Sequence, residues 1–595
     1  MYKAIQTKYQ PRARRYSSIT PYKGENERVF EGLLKPENAK KITNYIPYSE
    51  GRLIRRKGQR LKFEHVDGNP ILLLDRYTSS TMIFCHGAKT TIYNEDTDTQ
   101  TDIKTNWTAS GNYSGFRYAD YYFLTNGVER PHRVSQTLAY DAQASNFTAG
   151  LVVTGGTSGA KATILEDSDS GATGTLTLGD IVGTFADNET ITDSSTGSAT
   201  VNGTLGYAVT AISGAPICEV LFGAGNRAYA GNLSTDPTAV AYSQADVGTN
   251  PPFSTWTVST AATGGGLVNY RRAGAVNDIF SIGEVIGVVS DYGKWAFRID
   301  QIDVGGTLTK VDTIISDKLD LGGSKALVTD KGVIIVNESG VHITVALAQP
   351  DTPFSEQDFN ISTVLGKDYF TNINFDGSSI VYDRMEEIAY VSCRQDSSSN
   401  NYTFGYNFQN KAFFRFAGWS IGRFFQDSDA KIYGGSAVDG KVYECFNGYT
   451  DDGLAIGTEA VWEITTDNTS YNDLEKFSIQ AELSQSSVVN FIFDTFRSNG
   501  QKVENRGTFQ LTAQYNSPAP LGYGLSALTS GFGSTLSGSL EGTLPVYDSI
   551  KPGIRNFQRV QVRVTSSDLV PHALNVFTSD IRTKAQIRQR TITQI

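Results

Sequence analysis

Short apolar runs alternate with polar turns along most of the chain. Between residues 69 and 127 the runs are NPILLLDRY, STMIFCHG, KTTIYNE and DYYFLTNG. Each is rich in β-branched and aromatic residues and is bounded by Gly, Asn, Asp or Ser, which is typical of strands separated by turns. The pattern repeats from 226 to 448, where NESG at 337–340, FQNK at 408–411 and VDGK at 438–441 have hairpin-turn chemistry. The sequence therefore predicts an all-β protein.

Two features of the strand groups favour a β-propeller over a simple sandwich or barrel. The strands come in meander-like groups, and aromatic residues fall late in several groups, as in KWAFRI, AFFRFAGW and VYECF. A propeller blade is a four-stranded meander, and such aromatics pack between blades, so we expect about five to seven blades. Helical periodicity is limited to GLLKPENAKKI near the start and DLEKFSIQAE near residue 473.

Changes in composition divide the chain into five regions. The stretch 147–207 is built from Gly, Thr, Ser and Ala with alternating β-branched residues, and it predicts an inserted, small β-sandwich-like module. A Gly/Ser-rich tract at 517–545 predicts a long loop. The predicted regions are a basic N-terminal arm and docking region at 1–60, the first part of the propeller at 61–146, the inserted module at 147–207, the remainder of the propeller at 208–475 and a C-terminal β region at 476–595.

Basic charge is concentrated at both ends of the chain. Residues 1–60 hold 15 Lys and Arg against 5 Asp and Glu, residues 551–595 hold 8 against 2, and the intervening body carries a net charge of −26. An acidic body argues against tight non-specific binding of DNA. The basic ends either dock on an acidic partner or neighbouring copy, or are solvated surface charge. The candidate docking residues are Arg12, Arg14, Arg15, Arg55 and Arg56.

Residue spacing singles out no catalytic, cofactor-binding or metal site. The five histidines, at 65, 86, 132, 342 and 572, are never three or four residues apart, and H-E-x-x-H and G-x-S-x-G are absent. The motif GAGNRA at 223–228 precedes strand-like sequence, so it lacks the helix N-terminus of a dinucleotide site. Asp96, Asp98 and Asp102 are close in sequence without the Gly and Glu of a calcium loop, which favours polar turns and leaves calcium open.

Cysteine usage and hydropathy predict a chain that folds in a reducing compartment. The cysteines at 85, 218, 393 and 445 form no C-x-x-C pair, which indicates buried, reduced thiols. The first residues contain no apolar signal-peptide core, and no run of 18 apolar residues occurs. We therefore expect neither a signal peptide nor a membrane span.

The order of these features resembles the tail nozzle proteins of short-tailed bacteriophages, also called tail tubular protein B-like proteins. The resemblance covers roughly 1–140 and 209–595. It rests on FRYADYYFLTNGVERPHRV at 116–134, with Asn126, Gly127 and Pro131; on AYAGNLSTDPTAVAYSQADVGTNPPFSTW at 228–256, with Pro237, Tyr242, Ser243 and Trp256; on IFSIGEVIGVVSDYGKWAFRI; and on RNFQRVQVRVTSSDLVPHALNVFTSDI at 555–581.

The resemblance implies a β-propeller scaffold, six copies in a ring and a channel for genomic DNA at the tail tip. The chain is then expected to be a non-enzymatic structural virion protein, without a cofactor, that retains the genome and lets DNA pass on infection. The implied location is the virion tail, after assembly in the bacterial host cytoplasm. The tract 517–545 would form the nozzle-tip loop.

The implied partners follow from that position in the tail. They are further copies of the chain in a homohexamer, the tail adaptor and portal-proximal ring proteins, genomic DNA that passes through the channel without sequence-specific binding and, through 147–207, tail fibres or the host envelope. Two alternatives stay open: a tail-tip receptor- or glycan-binding protein, and a polysaccharide depolymerase, which needs two convergent carboxylates.

Overall fold

The N-terminal segment contributes strands to three different sheets. The structure is a computed structural model, and it describes residues 14–19, 23–27, 37–108, 112–248, 251–319, 322–346, 354–365, 368–370, 372–465, 472–484, 487–496, 502–512, 544–552, 554–557 and 559–583. The first strands are β1 (Arg14–Ile19), β2 (Lys41–Thr43), β3 (Tyr45–Pro47), β4 (Leu53–Arg55) and β5 (Gln59–Glu64). The strand β5 belongs to the propeller, whereas β1 to β4 belong to a C-terminal sandwich or join it to the propeller.

Five blades are continuous antiparallel meanders of four strands. Blade 1 is β6 (Ile71–Arg76), β7 (Thr81–His86), β8 (Lys89–Asn94) and β9 (Thr99–Lys104). The strands β10 to β18 form blade 2 and an inserted barrel. Blade 3 is β19 (Cys218–Ala224), β20 (Arg227–Leu233), β21 (Ala239–Tyr242) and β22 (Gly266–Asn269). Blade 4 is β23 (Val276–Ile282), β24 (Val285–Ser290), β25 (Gly293–Val304) and β26 (Thr307–Lys318).

Blades 5 and 6 continue the series towards the C-terminus. Blade 5 is β27 (Lys325–Thr329), β28 (Gly332–Asn337), β29 (Gly340–Ala346) and β30 (Phe354–Asn360). Blade 6 is β31 (Ile373–Asp383), β32 (Ile388–Gln395), β33 (Tyr402–Asn407) and β34 (Ala412–Phe416). Among the described residues, helix occurs as the 3₁₀ segments Arg271–Ala273, Ile361–Leu365 and Asp368–Phe370, and no helix there is long and apolar enough to cross a membrane.

Blade 7 closes the propeller by pairing the two ends of its chain. It consists of β35 (Ile421–Gln426), β36 (Ile432–Ser436) and β37 (Lys441–Cys445), with β5 as the fourth strand. The inner strands β6, β10, β19, β23, β27, β31 and β35 contact one another in a closed circle. The fold is therefore a seven-bladed β-propeller, which confirms the predicted all-β propeller class.

Aromatic side chains fill the space between adjacent blades, as the sequence predicts. Trp295 and Phe297 of blade 4 are fully buried in one cluster with Tyr229 and Tyr242 of blade 3. The ring centroids of Tyr229 and Phe297 lie 6.2 Å apart. Such aromatic pairs add about 0.5–1.5 kcal/mol to the burial of their surface, and this packing holds neighbouring blades together.

A closed β-barrel is inserted into blade 2. The blade is β10 (Ser114–Tyr118), β11 (Tyr121–Thr125), β12 (His132–Ser145) and β18 (Gly206–Ala211); the barrel adds β13 (Val152–Gly155), β14 (Lys161–Asp169), β15 (Gly174–Val182), β16 (Thr190–Asp193) and β17 (Ser198–Val201). The order β12-β15-β14-β13-β16-β17 returns to β12, so the module closes where the sequence predicted a sandwich-like form. Closure removes exposed strand edges.

The barrel shares its first strand with the blade, so its wall begins before residue 147. The inner half of β12 pairs with β18 as far as Thr137 and Gly206. Its outer half pairs with β15 and β17, and Leu138 and Tyr140 are buried in the barrel core. The natural excision point therefore lies between residues 137 and 206.

Replacing residues 138–205 with Asn-Gly should leave the rest of the chain folded. The new two-residue hairpin would join Thr137 directly to Gly206, the last pair of the blade ladder. We expect the free energy of unfolding to fall by about 1–3 kcal/mol, because the deletion removes Glu166. This barrel residue accepts hydrogen bonds from Tyr121 and Arg133 of the blade at 2.9 and 3.0 Å. Far-UV circular dichroism and thermal melting of the variant test this prediction. An insoluble variant would contradict the view that the barrel folds independently of the blade. The comparison is a variant that lacks only residues 148–206. We expect this variant to aggregate, because the outer half of β12 remains without the strands that pair with it.

The C-terminal region forms a β-sandwich beside blade 6. One sheet is β38 (Thr458–Thr465), β44 (Arg559–Ser566), β40 (Val488–Phe496) and β41 (Lys502–Thr512); the other is β3, β4, β45 (His572–Thr583), β39 (Asn472–Leu483) and β42 (Leu544–Ile550), with β1 and β43 (Ile554–Phe557) paired to it. The ring centroids of Trp462 and Phe577, from opposite sheets, lie 5.0 Å apart. The strand β2 pairs with both β34 and β38 and links the sandwich to the propeller.

Three predicted boundaries move in the structure. The boundary at 60/61 falls inside β5, the boundary at 207/208 falls inside β18, and the boundary at 475/476 falls inside β39. The helical interpretation of 473–482 is wrong, because β39 covers that segment as a strand. Most of the predicted loop 517–545 lies outside the described residues, as do residues 32–36 of the helical interpretation of GLLKPENAKKI at 32–42. The helical interpretation is wrong for the described remainder, 37–42, which is not helical and leads into β2 at Lys41.

Candidate interaction surfaces

The predicted docking arginines near the N-terminus divide into three groups. Arg12 lies outside the described residues. Arg14 and Arg15 lie on β1, whose backbone pairs with β45 of the same chain, opposite Arg582 and Ile581. The backbone of this part of the arm is therefore incorporated into the chain's own sandwich instead of extending to a neighbour.

Arg55 is buried at the junction of blade 7 and the sandwich. Its side chain is 1% exposed, and the guanidinium donates hydrogen bonds to the backbone oxygens of Asp568, Val570 and Tyr449. Burial lowers the pKa of this guanidinium. The prediction that Arg55 docks another chain is therefore corrected, since its donors bind carbonyl oxygens inside its own chain.

Arg56 forms a second internal link between the N-terminal segment and the propeller. It is fully buried, and its guanidinium donates to both carboxylate oxygens of Asp451 at 2.8 and 2.5 Å. Its Nε donates to Asn44 at 2.8 Å, and the guanidinium stacks 4.7 Å from the ring of Trp419. Arg56 is therefore also unavailable for docking, because bidentate pairing and stacking use the guanidinium within the chain.

Two of the residues that carry the family resemblance stabilise turns and strand pairing in the propeller. Asn126 accepts hydrogen bonds from the backbone of Val128 and Glu129 at 3.1 and 2.7 Å and donates to Thr108 at 2.8 Å. Ser243 accepts from the backbone of Ala228 at 3.0 Å. These side chains form turns and inter-strand links, so the motifs report on the scaffold and not on a reactive site.

A polar cavity of about 390 Å³ lies at the mouth of the propeller axis. Its lining comes from the starts of the inner strands and includes Ser114, Glu219, Asn277, Lys325 and Arg423. This volume is typical of a small-molecule site and not of a passage for a DNA duplex. A second cavity of about 750 Å³ lies between blades 4, 5 and 6.

The strands β25 and β26 extend beyond the rest of blade 4 as a two-stranded ribbon. The strand β24 pairs with β25 only as far as Phe297, whereas β25 and β26 pair out to Val304 and Thr307. One face of the ribbon carries Ile302 and Val304, which are 48% and 63% exposed. Val311 is on the same face, opposite Asp300 in the register. This face thus exposes three apolar side chains to solvent, with Asp300 and Thr309 beside them.

The barrel surface offers little aromatic area. Phe147 and Phe185 are buried in the barrel core, and Tyr207 packs beside Tyr77 of blade 1, with ring centroids 6.1 Å apart. Glu189 accepts hydrogen bonds from the backbone of Thr157 and other groups in the turns of the barrel, which hold its pKa at about 2 despite the opposing effect of burial. The module's Phe and Tyr side chains are therefore structural.

The titratable groups named by the sequence analysis have separate partners. Asp98 accepts a hydrogen bond from Tyr93 at 2.9 Å, whereas Asp102 pairs with Lys89 at 2.9 Å. The four cysteines are buried and free, and burial raises the pKa of Cys85 to about 12. One group in the described part of the chain brings metal-ligating atoms together, namely His65, His86 and Asp102. Sequence spacing missed this group because its members come from different strands and a connecting loop.

Comparison with known proteins assigns the chain to no family. No protein-family model and no curated protein matches the chain. A chain of the crystal structure of the mitotic checkpoint complex has a TM-score of 0.33 at 9% identity, covering 71% of this chain and 99% of that chain. Hsv2 of Kluyvelomyces marxianus has a TM-score of 0.25 at 9% identity, covering 58% and 97%. At TM-scores this low, the likeness supports no statement about function.

Proposed function

We propose that this chain is a tail nozzle protein of a short-tailed phage, a structural virion component whose copies form a ring around the DNA passage. The observation that carries the proposal is the apolar ribbon of β25 and β26 on an otherwise acidic propeller. The proposed family comes from the sequence resemblance, which also implies a propeller. The ribbon supplies a surface that a ring of identical copies would bury.

A two-stranded ribbon is marginally stable in water and needs a packing surface. One edge of this ribbon is already paired within the chain, because the backbone N–H of Lys310 donates a hydrogen bond to the backbone oxygen of Thr260 at 2.9 Å. The face with Ile302, Val304 and Val311 remains exposed. A second copy of the chain is the occupant that we propose for this face, in a head-to-tail contact that closes into a ring.

Charge and cavity size fit this arrangement. The basic ends of one copy complement the acidic body of the next, which steers association more than it strengthens it. The axial cavity of a single propeller is small, about 390 Å³, so the DNA passage in this proposal lies between copies. An acidic wall repels the DNA backbone and lets it slide.

The proposal is tested on the purified full chain by sedimentation velocity and electron microscopy. We expect a closed ring of six copies with a central channel. A chain that stays monomeric at every concentration tested, and that also forms no ring when mixed with its own phage's adaptor ring, would contradict the proposal. Cleavage of host polysaccharide by the pure chain would instead favour the depolymerase alternative.

Introducing charge on the ribbon should abolish ring formation. The double variant Ile302→Asp, Val304→Asp places two carboxylates where the proposed interface buries apolar surface, and we expect monomers with an unchanged circular dichroism spectrum. The matched control is Val438→Asp, Leu454→Asp, which changes two exposed apolar residues of 55% and 72% exposure elsewhere. Rings of unchanged size from the ribbon variant would exclude this face as the interface.

A further inference from the structure

A compact group of metal-ligating side chains lies where the propeller closes on itself. His65 follows β5, the N-terminal strand that completes blade 7, whereas His86 ends β7 and Asp102 lies on β9 of blade 1. One potential ligand atom from each residue falls within 4.8 Å of the other two. Three separate parts of the chain thus meet at one point.

The two imidazoles and the carboxylate face one another closely. The ring centroids of His65 and His86 lie 3.9 Å apart, and Nε2 of His65 lies 3.3 Å from Oδ1 of Asp102. Thr91 donates to the same oxygen at 2.7 Å and lies 2.9 Å from Nε2 of His86. The other carboxylate oxygen, Oδ2, faces Lys89 at 2.9 Å. Oδ1 of Asp102 therefore faces His65 directly and is linked to His86 through the hydroxyl of Thr91.

The ring of His86 is fully buried in this group. Its Nδ1 is buried and has no hydrogen-bond partner, which is unusual for a fully buried histidine. The carboxylate of Asp102 is partly exposed and accepts hydrogen bonds from Lys89 and Thr91.

We infer that His65, His86 and Asp102 form a binding site for one divalent transition-metal ion of the Zn²⁺ class. Two imidazoles with one carboxylate suit Zn²⁺, Co²⁺ and Ni²⁺ and disfavour Mg²⁺ and Ca²⁺, which prefer oxygen ligands. Ligand atoms at 2.0–2.2 Å from one ion in a tetrahedral site are about 3.3–3.6 Å apart, so atoms of the group that lie up to 4.8 Å apart have to approach by up to about 1.5 Å.

Lys89 balances the charge of the site and does not block it. Its ammonium pairs with Asp67 at 2.7 Å and with Oδ2 of Asp102 at 2.9 Å. The ion takes the opposite oxygen, Oδ1, and Lys89 keeps Asp67 as its partner. With three protein ligands the fourth position holds water.

The position of the site gives the ion a structural role. It ties the loop after β5, the closing strand of blade 7, to β7 and β9 of blade 1. An ion that binds only the closed propeller stabilises it by mass action. The site is independent of the proposed tail function, and each is testable without the other.

Metal uptake by the full chain, expressed without a polyhistidine tag and treated with EDTA, tests the inference. We expect one Zn²⁺ per chain by isothermal titration and elemental analysis, no uptake of Mg²⁺, and visible absorption of bound Co²⁺ typical of a tetrahedral site. Zn²⁺ should also raise the melting temperature by about 2–4 °C. The absence of any Zn²⁺ uptake overturns the inference.

Variants separate this site from adventitious binding. Asp102→Asn keeps the shape of a partly exposed side chain and should weaken Zn²⁺ binding at least tenfold, as should His65→Gln. His342→Gln removes a histidine on β29 and should leave the affinity unchanged. Equal Zn²⁺ affinity in the wild type, Asp102→Asn and His65→Gln would place the ion elsewhere and overturn the inference even if His86 variants fail to fold.

Discussion

Replacing Arg56 by alanine should destabilise the chain by about 3–5 kcal/mol, the usual result of removing one partner of a buried ion pair. The substitution leaves the Asp451 carboxylate without its bidentate partner and removes the group that stacks on Trp419. It also leaves the side-chain oxygen of Asn44 without one of its donors. The loss is expected in the isolated chain, before any assembly.

The matched control is Lys57→Ala, at the next position in the chain. Lys57 is exposed, so we expect its replacement to change the free energy of unfolding by no more than about 0.5 kcal/mol. Urea unfolding of both variants, followed by tryptophan fluorescence, makes the comparison. A fully stable Arg56→Ala chain would contradict the internal role of this arginine and restore a docking role.

The error over Arg55 and Arg56 shows what sequence pattern leaves undetermined. A cluster of arginines has the same composition whether it faces a partner or its own interior. The interior position depends on Asp451 and the carbonyl oxygens of Asp568 and Val570, which lie hundreds of residues away in sequence. The charge count therefore identified the basic N-terminal segment but not the residues of the same chain that bind its arginines.

Local turn chemistry, in contrast, was predictable. NESG at 337–340 is a two-residue hairpin, because Asn337 pairs directly with Gly340 across β28 and β29. The residue Gly340 has a φ of 121°, a conformation that side chains with a Cβ rarely adopt. Such turns depend on residues close in sequence, and for that reason the strand class and the meanders follow from the sequence.

The false helix at 473–482 has a specific structural cause. The spacing of Leu474 and Phe477 looks helical, but β39 contains an irregular register between Leu474 and Lys476. A bulge inserts one extra residue and shifts the alternation, so both side chains point into the same core. Beyond the bulge Phe477, Ile479 and Ala481 alternate as in an ordinary strand.

The long-range closures were not predictable from pattern. The barrel depends on β12 pairing with β17, and blade 7 depends on β37 pairing with β5, almost 400 residues earlier in the chain. The group of His65, His86 and Asp102 is a product of the same closure. The spacing of the histidines in the sequence does not indicate this group, because strand pairing and not helical periodicity brings the three residues together.

His572 should make the sandwich sensitive to mild acid. The side chain is fully buried, and its Nε2 lies 2.7 Å from the hydroxyl of Tyr45. Burial lowers the pKa of His572 to about 3, and the positive charge of Arg55 adds to the effect while Asp568 opposes it. Thr458 donates to the Tyr45 oxygen at 3.1 Å, so the tyrosine proton is free to bind a neutral ring.

The sign follows from comparing the folded and unfolded chains. Unfolded His572 binds a proton below about pH 6.5, whereas the folded ring resists protonation until about pH 3. The unfolded state therefore gains protons first, and stability that is complete above pH 6.5 is lost as the pH falls towards 3. Between pH 7 and pH 4 the loss through this group is on the order of 3 kcal/mol.

The variant His572→Gln tests this contribution, because glutamine can accept a hydrogen bond from Tyr45 but does not titrate. We expect the variant to be less stable than the wild type at pH 7 and to lose less stability on acidification to pH 4, by on the order of 3 kcal/mol. Carboxylates and His86 titrate in both chains, so the difference between the two pH profiles isolates His572. Urea unfolding at successive pH values, read from the fluorescence of the tryptophans, which include the buried Trp462 of the sandwich, measures both profiles. Parallel profiles from pH 7 to pH 4 would show that His572 is not the group that destabilises the sandwich in acid.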